Sequence, residues 1–407
     1  MVQANKVVVV VAVVFAFFGG ASLSGAQPKP PGVKVEVGAA APAVDLAALA
    51  DRLVGTTANV KEGEVVEIVG GPTDLALVEE LAVAVRKRGG HPIVSYGSES
   101  LTKKMIATVP EKYDAQQPKA ALGLAKLVNV RIIVPPVRDP SIEATLPAAR
   151  RAAMAKAYVP VNDQRLKRNV RLVELGNGLL PSTVQAKLLG VAEADLGKMF
   201  WDGVSADYAA VQDKATSLRK AIAAGSELHI TAPNGTDLKV KVKGRKVLAS
   251  DGVISDADIK AAGANVSAWL PAGEVYVVPV AGSAEGKIVD DRMLFDGKEV
   301  TGVTVEVKKG KITAVNAASG WDAVKGLYDA AGPAKNEISV VDLGINPAVK
   351  TAGKLETWMG AGMVTIVAGG NTWAGGTNKE PFGLTFQLTG ATVTLDGKPL
   401  VEAGALK

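Results

Sequence analysis

The sequence predicts an α/β domain with a mainly parallel sheet, followed by a β-rich α+β domain. Over residues 43–225, strand-like apolar runs alternate with helical stretches, a pattern typical of parallel strands joined by crossover helices. After Gly225 the helical stretches become scarce, and Asp-Gly and Asn-Gly pairs, which are strong hairpin signals, separate short alternating runs. We therefore expect an N-terminal α/β domain over residues 43–225 and a C-terminal β-rich domain over residues 226–407.

The first 26 residues have the pattern of a secretory signal peptide. Lys6 precedes the apolar run Val7–Phe18, and Ser24 and Ala26 are spaced like the small residues of a cleavage site. The run is too short to span a bilayer as a helix. We expect cleavage near Ala26 and a secreted or periplasmic protein with no membrane attachment afterwards, and an uncleaved anchor is the alternative. Residues 27–42, rich in Pro and small residues, are predicted to be a linker.

The elements of the first domain follow from apolar runs and their Gly and Pro boundaries. A helix is expected over residues 44–53, and Thr73 is placed to cap another, which has an acid in its first turn and bases in its last. The predicted strands are Glu64–Val69, His91–Tyr96, Val128–Val134 and Val170–Leu175. Further helices are predicted over residues 74–88, 141–157, 182–190 and 204–224.

The elements of the second domain are predicted mainly from its turns. Val300–Val307 alternates with period two, which indicates a half-buried strand. One helix, Ser319–Ala331, is expected among the strands. The predicted hairpin turns are Asn234-Gly235, Asp251-Gly252, Asp296-Gly297, Lys309-Gly310 and Asp396-Gly397.

The composition excludes several classes of site. There is no Cys, so disulfides, thiolate metal sites and Cys nucleophiles are impossible, and the only histidines are His91 and His229. Each histidine opens or lies in a predicted strand, so a packed or edge position is expected. The net charge of +5 and pI near 9.1 come from bases that are interleaved with acids, and the densest patch, Arg150–Arg171, fits a solvated helix. We expect no nucleic-acid partner.

Short motifs that suggest chemistry have simpler structural explanations. Ser100-Leu-Thr-Lys103 matches the Ser-x-x-Lys signature of acyl-enzymes but lacks its companion motifs, so a helix start is expected. Gly360–Gly376 is rich in glycine but lacks the Gly-Lys-Ser/Thr ending of a phosphate loop. Asp251 and the pair Asp290-Asp291 adjoin turns, where Asp is common, although carboxylates of this kind can also bind a hard cation.

From Gly225 onward the residues resemble one family. The segment Leu270-Pro-Ala-Gly-Glu-Val275, followed by Gly344-Ile-Asn-Pro347 and the glycines around Asn371, looks like the thermophilic-type metallo-aminopeptidases, aminopeptidase T and aminopeptidase S. The N-terminal half is similar in layout, including Val60-Lys-Glu-Gly-Glu-Val65. The resemblance therefore covers nearly the whole mature chain and implies the fold of that family.

The resemblance implies two divalent metal ions in the C-terminal domain, which activate a water for attack on the N-terminal peptide bond. Of the six ligand positions it implies, Glu274 is the only one that holds a matching residue. The second position falls at Val340, and Asp342 or Glu337 can replace it only with a local shift of the alignment. The remaining four positions hold side chains that cannot be the expected Glu, His or Asp ligands: Trp358, Thr365, Gly383 and Thr385.

We therefore expect a secreted aminopeptidase-like protein without peptidase activity, a pseudoenzyme with a binding or structural role and no cofactor. The resemblance implies self-association through the C-terminal domain as a dimer or larger assembly, and the retained cleft suggests a peptide ligand. The alternative is an active metal-dependent aminopeptidase with two divalent ions, which releases N-terminal residues through a rearranged carboxylate site around Glu274. The partners of Glu274 in that case would be Asp342, Glu337, Asp290 or Asp291.

Overall fold

The computed structural model describes residues 12–13, 44–350 and 357–407. The predicted signal peptide and linker fall outside these residues, except for Ala12 and Val13 within the signal peptide. The first half contains β1 (Ala12–Val13), α1 (Leu46–Arg52), β2 (Val65–Gly70), α2 (Leu75–Lys87), β3 (His91–Tyr96), α3 (Glu99–Thr108), α4 (Lys119–Leu127), β4 (Val130–Ile133), α5 (Ser141–Ala144), α6 (Ala148–Lys167), β5 (Arg171–Leu175), α7 (Thr183–Leu189), α8 (Glu193–Val204) and α9 (Tyr208–Ala224).

The second half is mainly strands, as predicted. It contains β6 (Glu227–Thr231), β7 (Asp237–Lys241), β8 (Val247–Ser250), α10 (Asp256–Ala261), β9 (Ser267–Leu270), β10 (Glu274–Val277), β11 (Glu285–Phe295), β12 (Lys298–Lys308), β13 (Lys311–Asn316), α11 (Asp322–Ala330), β14 (Ile338–Gly344), β15 (Val364–Gly369), β16 (Gly383–Leu388), β17 (Thr392–Leu395), β18 (Lys398–Glu402) and β19 (Ala405–Leu406).

The first sheet confirms the predicted α/β architecture. Its order is β1-β3-β2-β4-β5-β9, and every pairing from β3 to β9 is parallel. The strands of such a sheet are covered on both faces, which explains why β2 and β4 are almost continuous apolar runs. Their side chains pack with helices α1, α2 and α8 in one hydrophobic core.

The second half forms two antiparallel sheets that share a core. The five-stranded sheet has the order β16-β15-β14-β10-β8, and the eight-stranded sheet has the order β13-β12-β11-β7-β6-β17-β18-β19. One face of the five-stranded sheet packs against the eight-stranded sheet through aliphatic side chains such as Val275, Val341 and Ile366. The other face of the five-stranded sheet is thereby left to meet the first half of the chain.

The boundary near residue 225 does not separate the first sheet from the second half completely. The predicted Asp251-Gly252 hairpin is wrong, because the chain leaves β8 through α10 and adds β9 to the edge of the first sheet. The four other predicted hairpin turns join antiparallel neighbours. Gly252 nevertheless has φ +90°, so the Asp-Gly pair does mark a turn.

Three details of the helices differ from the prediction. The helix over 141–157 is divided into α5 and α6, with Pro147 at ψ 141° between them, and α6 continues to Lys167. The helix over 204–224 is α9, which begins only at Tyr208, and α8 before it was not predicted. Thr73 caps nothing, because Asp74 is the N-cap residue of α2 and makes no side-chain cap bond. The helix start predicted around Ser100–Lys103 is confirmed, because α3 begins at Glu99 and the Oγ of its N-cap residue Ser98 accepts from the N–H of Leu101 at 3.1 Å. Among the described residues, none of the helices is both long and apolar enough to traverse a bilayer.

Candidate functional site

One face of the five-stranded sheet carries a row of polar side chains. Tyr276 on β10 stands opposite Asp342 on β14, Asp342 stands opposite Thr365 on β15, and Thr365 stands opposite Gln387 on β16. Because side chains alternate along a strand, residues two positions away point to the same face. We call this set of six residues the polar face: Glu274, Tyr276, Asp342, Thr365, Thr385 and Gln387.

Four residues of the polar face are buried although they are polar, and Thr385 and Gln387 are half-buried. Glu274 is 1% exposed, Tyr276 1% and Thr365 0%. Every member has a buried side-chain atom without a hydrogen-bond partner among the described residues: Glu274 Oε1, Tyr276 OH, Asp342 Oδ1, Thr365 Oγ1, Thr385 Oγ1 and Gln387 Nε2. Such atoms are normally paired, because an unpaired buried polar group costs about 1–3 kcal/mol. Their concentration on one surface indicates a site that binds something.

The two carboxyl groups of the polar face favour their neutral forms. Burial raises the pKa of Glu274 to about 7. Burial, followed by repulsion from Glu274, raises the pKa of Asp342 well above its ordinary value. Glu274 is diagonal to Asp342 across the β10–β14 ladder, close enough for the two charges to interact. Together they can hold at least one proton near neutral pH, and so offer both a donor and acceptors.

A loop of the first half reaches the polar face through Asn177. Its Nδ2 donates to Glu274 Oε2 at 3.3 Å and to the carbonyl oxygen of Pro271 at 3.0 Å. Its Oδ1 is buried and has no partner among the described residues. Asn177 follows the carboxyl end of β5 with φ +38°, which Asn tolerates better than most residues. The sharp turn after the parallel strand therefore positions this amide against Glu274.

The structure places most of the implied ligand positions on the same surface. Val340, Thr365, Gly383 and Thr385 lie on β14, β15 and β16, in register with the face that carries Glu274. Val340 is fully buried in a small cluster with Trp269 and Tyr276 and has no polar atom to offer. Trp358 lies outside these strands, and its Nε1 is buried without a hydrogen-bond partner in the part of the chain that the structure describes.

Of the two substitutes considered for the second position, only Asp342 lies on the polar face. Glu337 precedes β14, where its Oε2 accepts from Asn378 Nδ2 at 3.1 Å and its side chain is 43% exposed. Lys311 Nζ lies 3.9 Å from the other Glu337 oxygen. Glu337 is therefore a surface residue held by its own polar neighbours.

Asp290 and Asp291 are also explained by structure. Asp290 is buried, and its two oxygens accept from the backbone N–H groups of Arg292 at 3.0 Å and Gln387 at 3.1 Å. It thereby joins β11 to the edge of β16, and burial raises its pKa to about 7. Asp291 is exposed at the point where the β11–β12 pairing omits one residue. Neither carboxylate is directed to Glu274 by these contacts.

The histidines lie away from the polar face. His229, on β6 of the eight-stranded sheet, has its Nε2 2.8 Å from Asp237 Oδ1 on β7. His91 begins β3 at an exposed position, with its Nδ1 3.5 Å from a guanidinium nitrogen of Arg86. His91 thus lies at the exposed start of a strand, whereas His229 is half-exposed on an inner strand of its sheet rather than packed or at an edge.

Two divalent ions do not fit the donor set of the polar face. A dinuclear centre is surrounded by several carboxylates and imidazoles. The polar face offers two carboxyl groups, three hydroxyls and one amide. Among residues 44–350 and 357–407, no three His, Asp or Glu side chains converge as metal ligands would.

A cleft of about 530 Å³ adjoins this region. It is lined by Tyr158 and Arg165 from α6, by Asn177, and by Trp269 and Trp373 beside the polar face. The rings of Trp269 and Trp373 meet edge to face with centroids 5.6 Å apart. A cavity of this size holds a drug-sized molecule or a short peptide.

A second, more apolar cavity of about 400 Å³ lies beside the cleft. Its lining includes Met105, Ile106, Met154 and Phe295, and the ion pair of Arg150 Nε with Asp114 Oδ2 at 2.5 Å lies at its wall. Trp358 lines both cavities. A large ring thus stands at a position where the implied metal site would need a small carboxylate.

Tyr276, Gln387 and Asn177 were not among the residues predicted for the site. The sequence contained one indication of Tyr276 and Gln387. Each lies two residues after a candidate position on the same strand, Glu274 or Thr385, and such residues point to the same face. Asn177 had none, because its contact with Glu274 joins residues 97 positions apart.

Comparison with known proteins gives one family and two informative structures. The family described as thermophilic metalloprotease (M29) matches residues 43–343, a range that includes Glu274 and Asp342 but ends before β15. Wild-type AmpT from Thermus thermophilus aligns with a TM-score of 0.69 and 21% identity, over 89% of this chain and 98% of that chain. The 2,5-dihydroxypyridine dioxygenase from Pseudomonas putida KT2440 aligns with a TM-score of 0.55 and 14% identity, over 89% and 96%. No curated protein matches the sequence.

Proposed function

Because the chain belongs to the thermophilic metalloprotease (M29) family, we propose that it uses this family's fold to bind a ligand without metal-dependent hydrolysis. The observation that carries the proposal is the donor set of the polar face. The surface where the family resemblance puts metal ligands holds Val340, Thr365, Gly383 and Thr385, with only Glu274 and Asp342 as acids. Unpaired hydroxyl, carboxyl and amide atoms there can instead hydrogen-bond an organic molecule.

The shared fold is compatible with this change of role. A fold of this kind does not fix the chemistry, since both AmpT and a dioxygenase have it. The cleft of about 530 Å³ beside the polar face provides room for a ligand, and the buried Trp269 gives it a rigid wall. The proposed role is binding, or assembly through a bound partner.

Export and self-association belong to the same proposal. The apolar run Val7–Phe18 with its small-residue cleavage pattern supports a secreted or periplasmic location. Dimers or larger assemblies are expected from the family resemblance, and the outer strands β13 and β19 leave edges of the eight-stranded sheet that a second chain can pair with. Light scattering of the purified chain measures the oligomeric state, and a monomer at working concentrations contradicts the assembly.

One observation favours the alternative of an active metallo-aminopeptidase. Glu274 and Asp342 are neighbours on adjacent strands and both are buried, so they could supply carboxylates to a cation if a metal displaced their protons. Such a site would rest on oxygen ligands from two acids and the adjacent hydroxyls. The binding proposal must be tested against this alternative function.

Hydrolysis of amino-acid arylamides separates the two functions. The assay compares the wild-type protein with Glu274→Gln, each with and without added zinc, cobalt or manganese, and mass spectrometry measures bound metal. We expect no metal-dependent turnover and no stoichiometric metal. Turnover that requires metal and disappears in Glu274→Gln, but not in the control Glu337→Gln, would overturn the proposal.

A further inference from the structure

The second cavity, of about 400 Å³, is mainly apolar and takes no part in the proposed function. None of the six residues of the polar face lines it. Helices α3, α6, α7 and α11 and the end of β11 surround it, and large apolar side chains of its lining remain half-buried: Met105, Ile106, Met154, Leu188, Phe295 and Leu327. Apolar side chains that converge in this way without covering one another form a surface that a further apolar molecule can cover.

Four charged side chains at the wall of this cavity are neutralised in pairs. Arg150 Nε donates to Asp114 Oδ2 at 2.5 Å. Arg151 donates to both carboxylate oxygens of Asp296 through its two terminal nitrogens. Because each of these guanidinium groups already has its carboxylate, neither attracts a ligand of one particular charge.

Lys156 lines the same cavity but has no such partner. Among the described residues its Nζ takes part in no ion pair or hydrogen bond, and the residue is exposed. The two other acids of the lining are not bonded to it, because Glu143 has another partner and Glu380 Oε1 accepts from the N–H of Phe382 at 3.5 Å. An ammonium group without a counter-ion therefore stands where the cavity opens to water.

The spacing of residues on α6 places this ammonium group beside open space in the cavity wall. Ala152 lies three residues before Ala155 and four before Lys156, and residues at these spacings share one face of a helix. All three line the cavity. The two methyl groups leave room next to the helix, and the stem of the lysine can lie along the apolar wall while its charged end stays in water.

A ligand that matches these features has an apolar chain and one anionic end. We propose that the cavity binds a free medium-chain fatty acid, whose alkyl chain lies among Met105, Met154 and Phe295 and whose carboxylate lies at Lys156. Flexible methionine side chains adapt well to such a chain. The volume is near the lower end of the range for ligand pockets, which favours a chain of about ten carbons over a long-chain acid. The cavity is separate from the polar face, so its occupancy does not depend on the proposed function.

Isothermal titration of the full chain with decanoate, hexanoate and 1-decanol tests the alkyl chain and the carboxylate separately. Each methylene that is buried strengthens binding about fourfold, so decanoate should bind at least about 50-fold more tightly than hexanoate. Lys156→Gln should weaken decanoate about three- to fivefold, as expected for an ion pair near the surface, and should leave 1-decanol unchanged. Lys167→Gln, on an exposed residue at the end of the same helix, is the matched control.

A larger side chain in the wall tests the location of the alkyl chain. Ala155→Phe places a ring in the cavity and should weaken both decanoate and 1-decanol at least about tenfold. Ala149→Phe, on an exposed residue of α6 outside the lining, should bind as wild type does. Thermal melting shows whether each variant folds, and Ala152→Phe replaces Ala155→Phe if the latter does not.

Four results would overturn the fatty-acid site. These are no binding of decanoate, equal affinity for decanoate and hexanoate, full affinity in the folded phenylalanine variants of the wall, and the same affinity for decanoate in Lys156→Gln and Lys167→Gln. The arylamide assay for the proposed function involves neither Lys156 nor Ala155, so the two proposals can fail independently.

Discussion

At the scale of single residues, Glu274 links the sequence, the fold and the function. It is the one implied ligand that the chain retains, and it is buried where a charged carboxylate is costly. Among the residues that the structure describes, it is hydrogen-bonded by Asn177 and lies diagonal to Asp342, and no cationic side chain bonds to it. The free energy of unfolding should therefore depend on pH through the ionisation of Glu274.

We predict that Glu274→Gln stabilises the protein above about pH 7. An unfolded Glu releases its proton near pH 4.5 and the folded one at about 7, so the folded state binds more protons between these values. Wild-type stability must fall as pH rises through this window, whereas Gln does not ionise. Urea denaturation should show a gap between the variants that grows from about pH 4.5 to 7 and reaches on the order of 3 kcal/mol. The exposed Glu79→Gln is the control, and parallel profiles for Glu274→Gln and wild type would contradict the prediction.

The candidate site shows what a sequence can predict about single residues. Glu274 was predicted because its neighbours in the chain form a recognisable segment, and Asp342 was weighed only as a shifted substitute. Asn177 could not be predicted, because its role depends on how a loop of one half packs on the other. Contacts of that kind are made by packing and leave no periodic trace in the chain.

At the scale of elements, the strands that hold the polar face are positioned by close backbone approaches. Gly344, at the end of β14, stands opposite Glu274 and lies directly against the chain around Gly360 and Trp358. A Cβ at this position would overlap the carbonyl oxygens of both residues. The absence of a side chain at Gly344 therefore allows the segment with Trp358 to pass beside Glu274.

We predict that Gly344→Ala destabilises the protein by about 2–3 kcal/mol, because the backbone on both sides has to move. Trp358 fluorescence should change at the same time. The control is Gly123→Ala in the middle of α4, where a Cβ would meet nothing within 4 Å and where Ala favours the helix by about 0.5–1 kcal/mol. Equal melting temperatures for Gly344→Ala and wild type would show that the close approach is not required.

Elements with a clear period were predicted well, and boundaries set by tertiary contacts were not. His91–Tyr96 was predicted residue for residue because Gly-Gly precedes it and its composition favours a strand. The Asp251-Gly252 turn was correct as a turn but wrong as a hairpin, since turn chemistry does not reveal which strand comes next. Only the packing of α10 and β9 against the first sheet decides that path.

At the scale of the whole molecule, the two halves are joined by more than a linker. Strand β9 comes from the second half but pairs in parallel with β5, from Leu172 opposite Ser267 to Leu175 opposite Leu270. Arg151 on α6 also forms a bidentate ion pair with Asp296 in the β11–β12 turn. Unfolding of one half must therefore expose part of the other.

We predict that the full chain unfolds in one cooperative transition and that a fragment of residues 44–225 does not fold stably. Without β9, the fragment exposes the edge of β5 and loses core residues such as Leu270 and Ala268. Circular dichroism of the fragment should show little cooperative melting. A fragment that melts like the full chain, or two separate transitions in the full chain, would contradict this interdependence.

The placement of the polar face has a consequence for the history of the chain and for its engineering. One face of the five-stranded sheet carries five of the implied ligand positions. Glu274 is on β10, and the others are on β14, β15 and β16: Val340, Thr365, Gly383 and Thr385. A loss of metal ligands at these positions therefore changes only side chains. The strands still hold the positions where the ligands of a metal cluster would have to stand. Ancestral sequence reconstruction should show whether related chains had these ligands. A few substitutions on these strands, together with a smaller residue in place of Trp358, should show how many changes peptidase activity requires.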